Sequence, residues 1–188
     1  GLVGSIDNDL VGADMTIGAD SALHRILEAI DDISSTAASH QRTFVVEVMG
    51  RHCGYLALMA AVAGGCDYVL VPELPPGKDW EGEAARVTIL GHVQRGGRPS
   101  AYDRWMSTLL GCAAAREVVS MDPGSEPVII AERHNRIRRL PMMEQIAATR
   151  AVKDLVAAHD YLGAIQARGA SFGKMLELFE TMSTPPAE

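Results

Sequence analysis

The sequence predicts an α/β protein built on parallel βαβ units. Two observations lead to this prediction. Short β-branched and apolar runs alternate with segments of helical apolar periodicity, and the succession strand, helix, strand is typical of parallel βαβ units. The 188 residues are 47% hydrophobic and 22% charged, which is close to the composition of globular domains and sufficient for a buried core.

An amphipathic helix is predicted in the first long stretch of the chain. Apolar residues recur there at the spacing of one helix face. They are Leu23, Ile26, Leu27, Ile30 and Ile33. Asp14 and Thr16 precede this stripe, and either side chain is of a type that caps helix N-termini.

A strand, a helix and a second strand are predicted next. The run from Thr43 to Val48 is β-branched and apolar, so it predicts a buried strand that ends in a glycine loop. The segment YLALMAAVAGG predicts a short helix that ends at Gly64 and Gly65. The segment DYVLVPE predicts the second strand, and the three elements together predict a parallel βαβ unit.

The second half of the chain predicts two further strands and several helices. RVTIL and EPVIIAER have strand character, and the helix between them is expected to start after Ser100, its N-cap. From Pro141 to about Met182 the pattern is mostly helical, and STPPAE is an expected frayed tail. The basic segment ERHNRIRRL has two interpretations, an effector phosphate site or a solvated loop with local salt bridges.

Composition excludes some classes of function. The net charge of −7 gives no general attraction to nucleic acid, because phosphate binding depends on cationic surface. No apolar run reaches the roughly 18 residues that span a bilayer, so no membrane association is expected. The three cysteines are odd in number and form no CxxC pair, which favours reduced thiols in a cytoplasmic protein.

The loop GSIDND near the start of the chain is the first candidate site. Asp7 and Asp9, separated by one residue between small neighbours, could serve as a base and as a negative charge beside a metal. The alternative is a pair of turn-forming residues that hold the backbone and cap the following helix. Spacing alone leaves both interpretations open.

Two further loops follow predicted strands and carry cations. In EVMGRHCG, Gly50 permits close backbone approach and Arg51 offers a planar fork of donors suited to phosphate; the alternative is a solvated arginine. In LGHVQRGG, strand alternation would place His92 and Gln94 on one side, with Arg95 nearby, as in a sugar-phosphate pocket. The alternative is a core histidine and a surface arginine.

Arg42 and Arg86 each lie at the start of a predicted strand. Strand starts lie at the opposite sheet edge from the three loops, so a ligand that these arginines touch would belong to a neighbouring subunit. Taken together, the loops offer a carboxylate base and several cations suited to phosphate. The residues alone thus predict a class of reaction, transfer to or from a phosphorylated small molecule.

Three long motifs in order resemble the ATP-dependent 6-phosphofructokinase family. They are GSIDND, SHQRTFVVEVMGRHCGYLALMAAVAGG and LGHVQRGGRPSAYDR, and the resemblance covers nearly the whole chain. It implies a three-layer αβα phosphofructokinase-like fold and the glycolytic transfer of a phosphoryl group from ATP, with Mg²⁺, to the 1-hydroxyl of fructose 6-phosphate. It also implies an allosteric homo-oligomer whose substrate sites are shared between subunits.

The resemblance assigns roles residue by residue. Asp7 would be the base, Arg51 would act with it in catalysis, and Asp9 would lie near the metal. His92 and Arg95 would lie near the 6-phosphate. The positions that match substrate-binding positions of the family are Ser5, Ile6, Asp7, Arg42, Met49, Gly50, Arg51, Arg86, His92, Val93, Gln94 and Arg95.

Two positions separate branches of the family. Gly4 stands where the diphosphate-using branch has a lysine, so the loop resembles the ATP-using branch. Asp7 is retained where regulatory halves of duplicated enzymes carry serine, so the chain resembles a catalytic half. A diphosphate-dependent kinase and a non-catalytic lobe that binds sugar phosphate are the two alternatives.

Two departures from the family pattern lead us to expect a partial domain over residues 1–188. The glycine-rich ATP-binding half has no counterpart before Gly1, and a strand, a loop with a substrate glutamate and a helix are missing near 81–86. Glu81 and Glu83 lie at that junction but do not match the glutamate motif. We therefore expect that the chain begins inside an active site and is inactive alone.

Overall fold

A computed structural model describes residues 1–40, 42–76 and 86–183. Six helices and four strands are assigned within these ranges. In chain order they are α1 Ala19–His40, β1 Phe44–Glu47, α2 Tyr55–Gly64, β2 Arg86–Ile89, α3 Ala101–Ser120, β3 Val128–Arg133, β4 Arg136–Pro141, α4 Met142–Ala157, α5 Tyr161–Arg168 and α6 Ala170–Ser183, with a 3₁₀ turn over Gly91–Arg95 between β2 and α3. The α/β class is confirmed, and the helices of the C-terminal third follow the prediction.

The strands form two small sheets. β1 and β2 pair in parallel, with Phe44 opposite Arg86 and Glu47 opposite Ile89. β3 and β4 form an antiparallel hairpin. Because β1 and β2 run in the same direction, the loops that follow them leave from the same edge of the sheet. These are the loops that contain Arg51 and Arg95.

The prediction of a strand over the segment DYVLVPE is wrong. The segment has only an isolated bridge between Val71 and Leu74, and the parallel partner of β1 is β2. Tyr68 is 75% exposed, and no ladder partner for 67–70 lies within the described residues. A strand requires a hydrogen-bonded neighbour, so apolar alternation alone did not suffice here.

The basic segment ERHNRIRRL forms a hairpin and is not a loop. His134 and Asn135 take positive φ of 54° and 58°, as a type I′ turn between strands requires. β4 then carries the arginines along the hairpin, and Arg139 pairs with Glu117 of α3 at 2.5 Å. The interpretation as a solvated loop is therefore corrected, although one surface ion pair does form.

The core is built around α1 and α2. The predicted stripe of α1 faces inward, since Ile26 is wholly buried and Ile30 nearly so. It packs against Leu56 and Ala60 of α2. The opposite side of α2 packs against α6 in a second cluster, whose buried members are Leu58, Ala61, Val71, Phe172, Leu176 and Phe179.

The cap of α1 comes from another helix. The predicted caps are wrong: the Thr16 hydroxyl donates to the Ser5 carbonyl at 2.6 Å, and the Asp14 carboxylate accepts from the His134 amide at 2.6 Å. The carboxylate of Asp103 on α3 instead accepts from the amides of Gly18 and Ser21, at 2.7 and 2.8 Å. The predicted cap of α3 is confirmed, because the Ser100 hydroxyl accepts from the Asp103 amide at 3.2 Å.

Candidate active site

The three candidate loops converge around the carboxylate of Asp7. Its pKa is raised chiefly by partial burial and next by the negative charge of Asp9. The positive charges of Arg51 and Arg95 act on it in the opposite direction. An acid from the first loop therefore lies within electrostatic reach of one arginine from each of the other two, as a site for an anionic substrate requires.

Asn8 forms the turn that presents the two acids. Its backbone is left-handed, with φ of 50°, and its side-chain oxygen accepts from the Thr16 amide at 2.7 Å while its amide donates to the Asp14 carbonyl at 3.1 Å. The turn-forming role that the sequence allowed for the aspartates thus belongs to the residue between them. Asp7 itself is half-buried beside this turn.

The Arg51 loop is tightly turned. Arg51 has a φ of 55°, an uncommon conformation for a residue with a side chain, and its side chain is exposed. The Cys53 amide donates to the Gly50 carbonyl at 2.9 Å. A Cβ at Gly50 would lie 2.5 Å from the Cys53 carbonyl oxygen, so only glycine fits there.

Cys53 follows this turn, and its thiol has low reactivity. The side chain is buried, and burial raises the pKa of the thiol to about 12. Because the thiolate is the nucleophile, Cys53 is unsuited to covalent catalysis.

The third loop is a 3₁₀ turn, so the expected strand alternation does not apply. His92, Val93 and Arg95 are exposed, whereas Gln94 is 1% exposed on the other side. The Gln94 oxygen accepts from the Met49 amide at 2.7 Å, and its nitrogen donates to the Met49 carbonyl at 3.3 Å. The expectation that His92 and Gln94 share a side is wrong, and the Gln94 amide joins the second and third loops.

The other substrate-binding candidates divide between the two edges of the parallel sheet. Ser5 lies in the first loop, where its hydroxyl donates to Asp9 at 3.1 Å, and Ile6 packs against the α1–α2 core. Arg42 lies two residues before β1, and Arg86 opens β2, at the edge opposite the loops. The structure therefore does not bring these two arginines to Asp7 within one chain.

A cleft beside the third loop has a cationic lining. It holds about 280 Å³ and reaches from Ile6 to the start of α3. Its arginines are Arg95, Arg98 and Arg104. Its size is near the lower end of small-molecule sites, and its charge suits a phosphorylated ligand.

A buried ion pair connects the first two loops and could not be found from the sequence. The Arg168 Nε donates to Glu73 at 2.8 Å, and the two side chains are 7% and 0% exposed. The partners are 95 residues apart in the chain, and neither lies in one of the three motifs. No local pattern signals such a pair.

The carboxylates of the first loop could supply only one or two of the ligands that Mg²⁺ requires. Among the described residues, no group of three His, Cys, Asp or Glu could hold a metal ion. The negative charge of Asp9 nevertheless lies close enough to raise the pKa of Asp7, so two acids are near one another. This fits Mg²⁺, which protein sites often bind through one or two carboxylates while phosphates and water complete the shell.

Comparison with known proteins decides the family. The model of the family described as Phosphofructokinase matches residues 1–80 and 77–118. The chain belongs to the phosphofructokinase family. This match includes all three loops of the candidate site.

Curated members of the phosphofructokinase family are similar along nearly the whole chain. The liver-type ATP-dependent 6-phosphofructokinase of Bos taurus is 41% identical over 230 residues, covering 97% of this chain and 30% of the relative. The ATP-dependent 6-phosphofructokinase of Aspergillus fumigatus is 40% identical, covering 98% of this chain and 29% of the relative. The chain thus spans about 30% of the length of these relatives.

Solved phosphofructokinases share the fold. That of Saccharomyces cerevisiae superimposes with a TM-score of 0.91 at 39% identity, covering 95% of this chain and 30% of the other. That of Pichia pastoris in the T-state gives the same TM-score and identity, covering 97% and 25%. Within the described ranges, none of the helices has both the length and the apolar character needed to span a membrane.

Proposed function

We propose that this chain forms the sugar-phosphate side of an ATP-dependent 6-phosphofructokinase, which transfers a phosphoryl group from ATP to the 1-hydroxyl of fructose 6-phosphate in glycolysis. The observation that carries the proposal is the carboxylate of Asp7 within the fields of Arg51 and Arg95. The similarity to ATP-dependent 6-phosphofructokinases supports the substrates. The activity is that of the longer protein, since the chain spans about 30% of these relatives.

Asp7 acts as the base in this proposal. Its carboxylate takes the proton of the sugar 1-hydroxyl, the oxygen forms a bond to the γ-phosphorus of ATP, and the bond from that phosphorus to the β–γ bridging oxygen breaks to release ADP. Arg51 balances charge on the transferring group, and Arg95 with His92 holds the 6-phosphate. Positioning and charge neutralisation supply most of the catalysis in such transfers.

Asp9, with Asp7 beside it, is the group that would hold Mg²⁺. When bound, the cation neutralises negative charge on the phosphates of the nucleotide. The side chain of Asp9 is oriented for this by the Ser5 hydroxyl, which donates to it at 3.1 Å.

Arg42 and Arg86 are proposed to serve the site of a neighbouring subunit. Both lie at the starts of parallel strands, whereas Asp7, Arg51 and Arg95 gather beyond the strand ends. A homo-oligomer with shared sites accounts for cations at both edges. We place the enzyme in the cytoplasm, which suits the three free thiols of the structure.

We also propose that the natural protein has an additional segment near 81–86. The alignments with the curated relatives extend over 230 positions, more than the 188 residues of this chain. The family model matches in two stretches that meet at 77–80. On β2, which follows this point, Val87 and Ile89 are 63% and 65% exposed, as expected where a covering element is absent.

The substitution Asp7→Ser in the full-length protein tests the base. We expect turnover of fructose 6-phosphate with ATP to fall about 10²- to 10⁴-fold, the usual contribution of a general base. Binding of fructose 6-phosphate, measured by calorimetry, should be largely kept because the cationic wall is intact. Asp31→Ser, on the exposed face of α1, is the matched control and should leave both quantities unchanged.

The same assay separates the alternatives. Retained turnover in Asp7→Ser would overturn the assignment of the base. Wild-type turnover with diphosphate in place of ATP would favour the diphosphate-dependent branch. Binding of fructose 6-phosphate without turnover of either donor would favour the non-catalytic lobe.

A further inference from the structure

We propose that Arg168 is a positioning residue that holds the Asp7 loop and the Arg51 loop in register for the transfer. The inference rests on the proposed function for its catalytic consequence. Its structural basis is independent of that function, since it depends only on the contacts of a buried side chain.

The guanidinium of Arg168 donates in three directions. Its Nε donates to the Glu73 carboxylate at 2.8 Å. One terminal nitrogen donates to the Asp9 carbonyl at 3.1 Å, and the other donates to the His52 carbonyl at 2.6 Å. A planar fork with fixed donor directions can hold two backbone segments at once.

These carbonyls lie beside the two residues that act on the reacting groups. Asp9 is two residues from Asp7, and His52 directly follows Arg51. Arg51 has a φ of 55°, which costs free energy unless surrounding contacts maintain it. The carbonyl that Arg168 contacts belongs to His52, the residue after this strained position, so Arg168 is placed to stabilise it.

Glu73 anchors the guanidinium of Arg168 to the start of α2. Its carboxylate oxygens also accept from the Gly54 amide, at 3.2 and 3.0 Å, at the N-cap of α2. A Cβ at Gly54 would lie 2.4 Å from Val71 and 2.8 Å from Glu73, so the backbone there approaches as closely as glycine allows. α2 packs into both hydrophobic clusters, and the fork is therefore anchored to the core.

Stability alone does not explain the pair. Removing two charges from water is costly, and an apolar replacement of a buried ion pair is often neutral or stabilising. What an apolar pair cannot supply is a set of donors to two carbonyls from different loops. The position of the pair between the loops therefore points to geometry as its role.

Two variants of the full-length protein test the proposal. Arg168→Lys keeps the charge opposite Glu73 but lacks the planar fork. Arg168→Met combined with Glu73→Gln removes both charges and leaves no buried ion unpaired. In each we expect kcat to fall by about 10²-fold, the cost of a displacement of roughly 1 Å at a catalytic group. KM for fructose 6-phosphate should change less than kcat, because Arg95 and His92, which are proposed to hold the 6-phosphate, lie on the third loop.

Hydrogen exchange gives a readout that does not need activity. Peptides covering 5–12 and 49–56 should exchange faster in both variants than in the wild-type protein, while peptides of α3 should not change. Arg139→Lys is the matched control, because its ion pair with Glu117 lies at the surface and touches neither loop. It should leave exchange, kcat and KM unchanged.

The outcomes distinguish this proposal from the proposed function. If the wild-type protein does not turn over fructose 6-phosphate with ATP while the Arg168 variants loosen the two loops, the proposed function fails and the positioning of the loops stands. Unchanged exchange in both peptides, or a kcat loss that follows a general fall in Tm and disappears at low temperature, would overturn the positioning role.

Discussion

At the scale of the single residue, opposing electrostatic effects set the pKa of Asp7. Partial burial and the charge of Asp9 disfavour its ionised form, whereas Arg51 and Arg95 favour it. The net pKa is raised, which suits the proposed role of Asp7 as a base. The same balance has a consequence for stability that does not depend on any substrate.

The substitution Asp7→Asn should stabilise the free protein at neutral pH. A raised folded-state pKa means that the ionised carboxylate destabilises the fold, and this destabilisation is present above the folded pKa. It shrinks as pH falls through that pKa and is absent below the ordinary value of 3.8. The Tm of Asp7→Asn should therefore exceed that of wild type at pH 7, and the difference should shrink on acidification.

Asp31→Asn provides the comparison for the Tm measurement. Its side chain lies on the exposed face of α1, so its Tm should match that of wild type across the same pH range. An Asp7→Asn protein that is less stable than wild type at neutral pH would contradict the electrostatic account of Asp7.

Residue types within motifs were predictable, but their contacts were not. The acid and the arginines of the site could be named from the sequence because each follows a glycine-rich turn or a strand end. The Gln94 amide was expected at the substrate, yet both of its polar atoms bond to Met49. Whether a side chain faces a ligand or the backbone depends on loop conformation, which residue spacing does not encode.

At the scale of the element, local sequence patterns predicted most of the segments that pack against a neighbour. α1 was found where the helical spacing of its apolar residues placed it, and β1, α2, β2 and α3 were found where apolar runs, glycines and the Ser100 cap placed them. The hairpin strand β4 was missed, since RIRRL has only one buried residue, Leu140, and lies against β3. The cap of α1 was missed because Asp103 is 85 residues away from Gly18.

β2 provides the test of the proposed additional segment. Val87 and Ile89 are apolar and largely exposed on a short parallel pair, which is a liability for aggregation. We expect the natural transcript, sequenced across 81–86, to encode further residues there. A recombinant form that contains them should be monodisperse in light scattering at concentrations at which the 188-residue form aggregates. A transcript identical to this sequence would refute the additional segment.

At the scale of the whole molecule, the proposed function assigns different parts of one site to the two edges of the parallel sheet. The strand ends lead to Asp7, Arg51 and Arg95, and the strand starts carry Arg42 and Arg86. The strands are four residues long, about 13 Å at 3.3 Å per residue, which is too far for an arginine at one edge to serve a substrate at the other. Under the proposed function, one chain would therefore offer two half-sites rather than one complete site.

Mixing two inactive variants tests this arrangement of the site. In the full-length protein, Asp7→Ser removes the base from one half-site, and Arg42→Ala removes a phosphate contact from the other. The two variants are unfolded together and reassembled, which produces hybrid oligomers. If sites are shared, some sites in these hybrids combine the intact Asp7 of the Arg42→Ala subunit with the intact Arg42 of the Asp7→Ser subunit. Turnover of fructose 6-phosphate should then reappear, although each variant alone is nearly inactive. Mixing Asp7→Ser with Asp7→Asn is the control and should restore nothing, because no pairing supplies a base. Failure of the Asp7→Ser and Arg42→Ala mixture to regain turnover, with hybrids verified by mass, would show that Arg42 does not complete a partner's site.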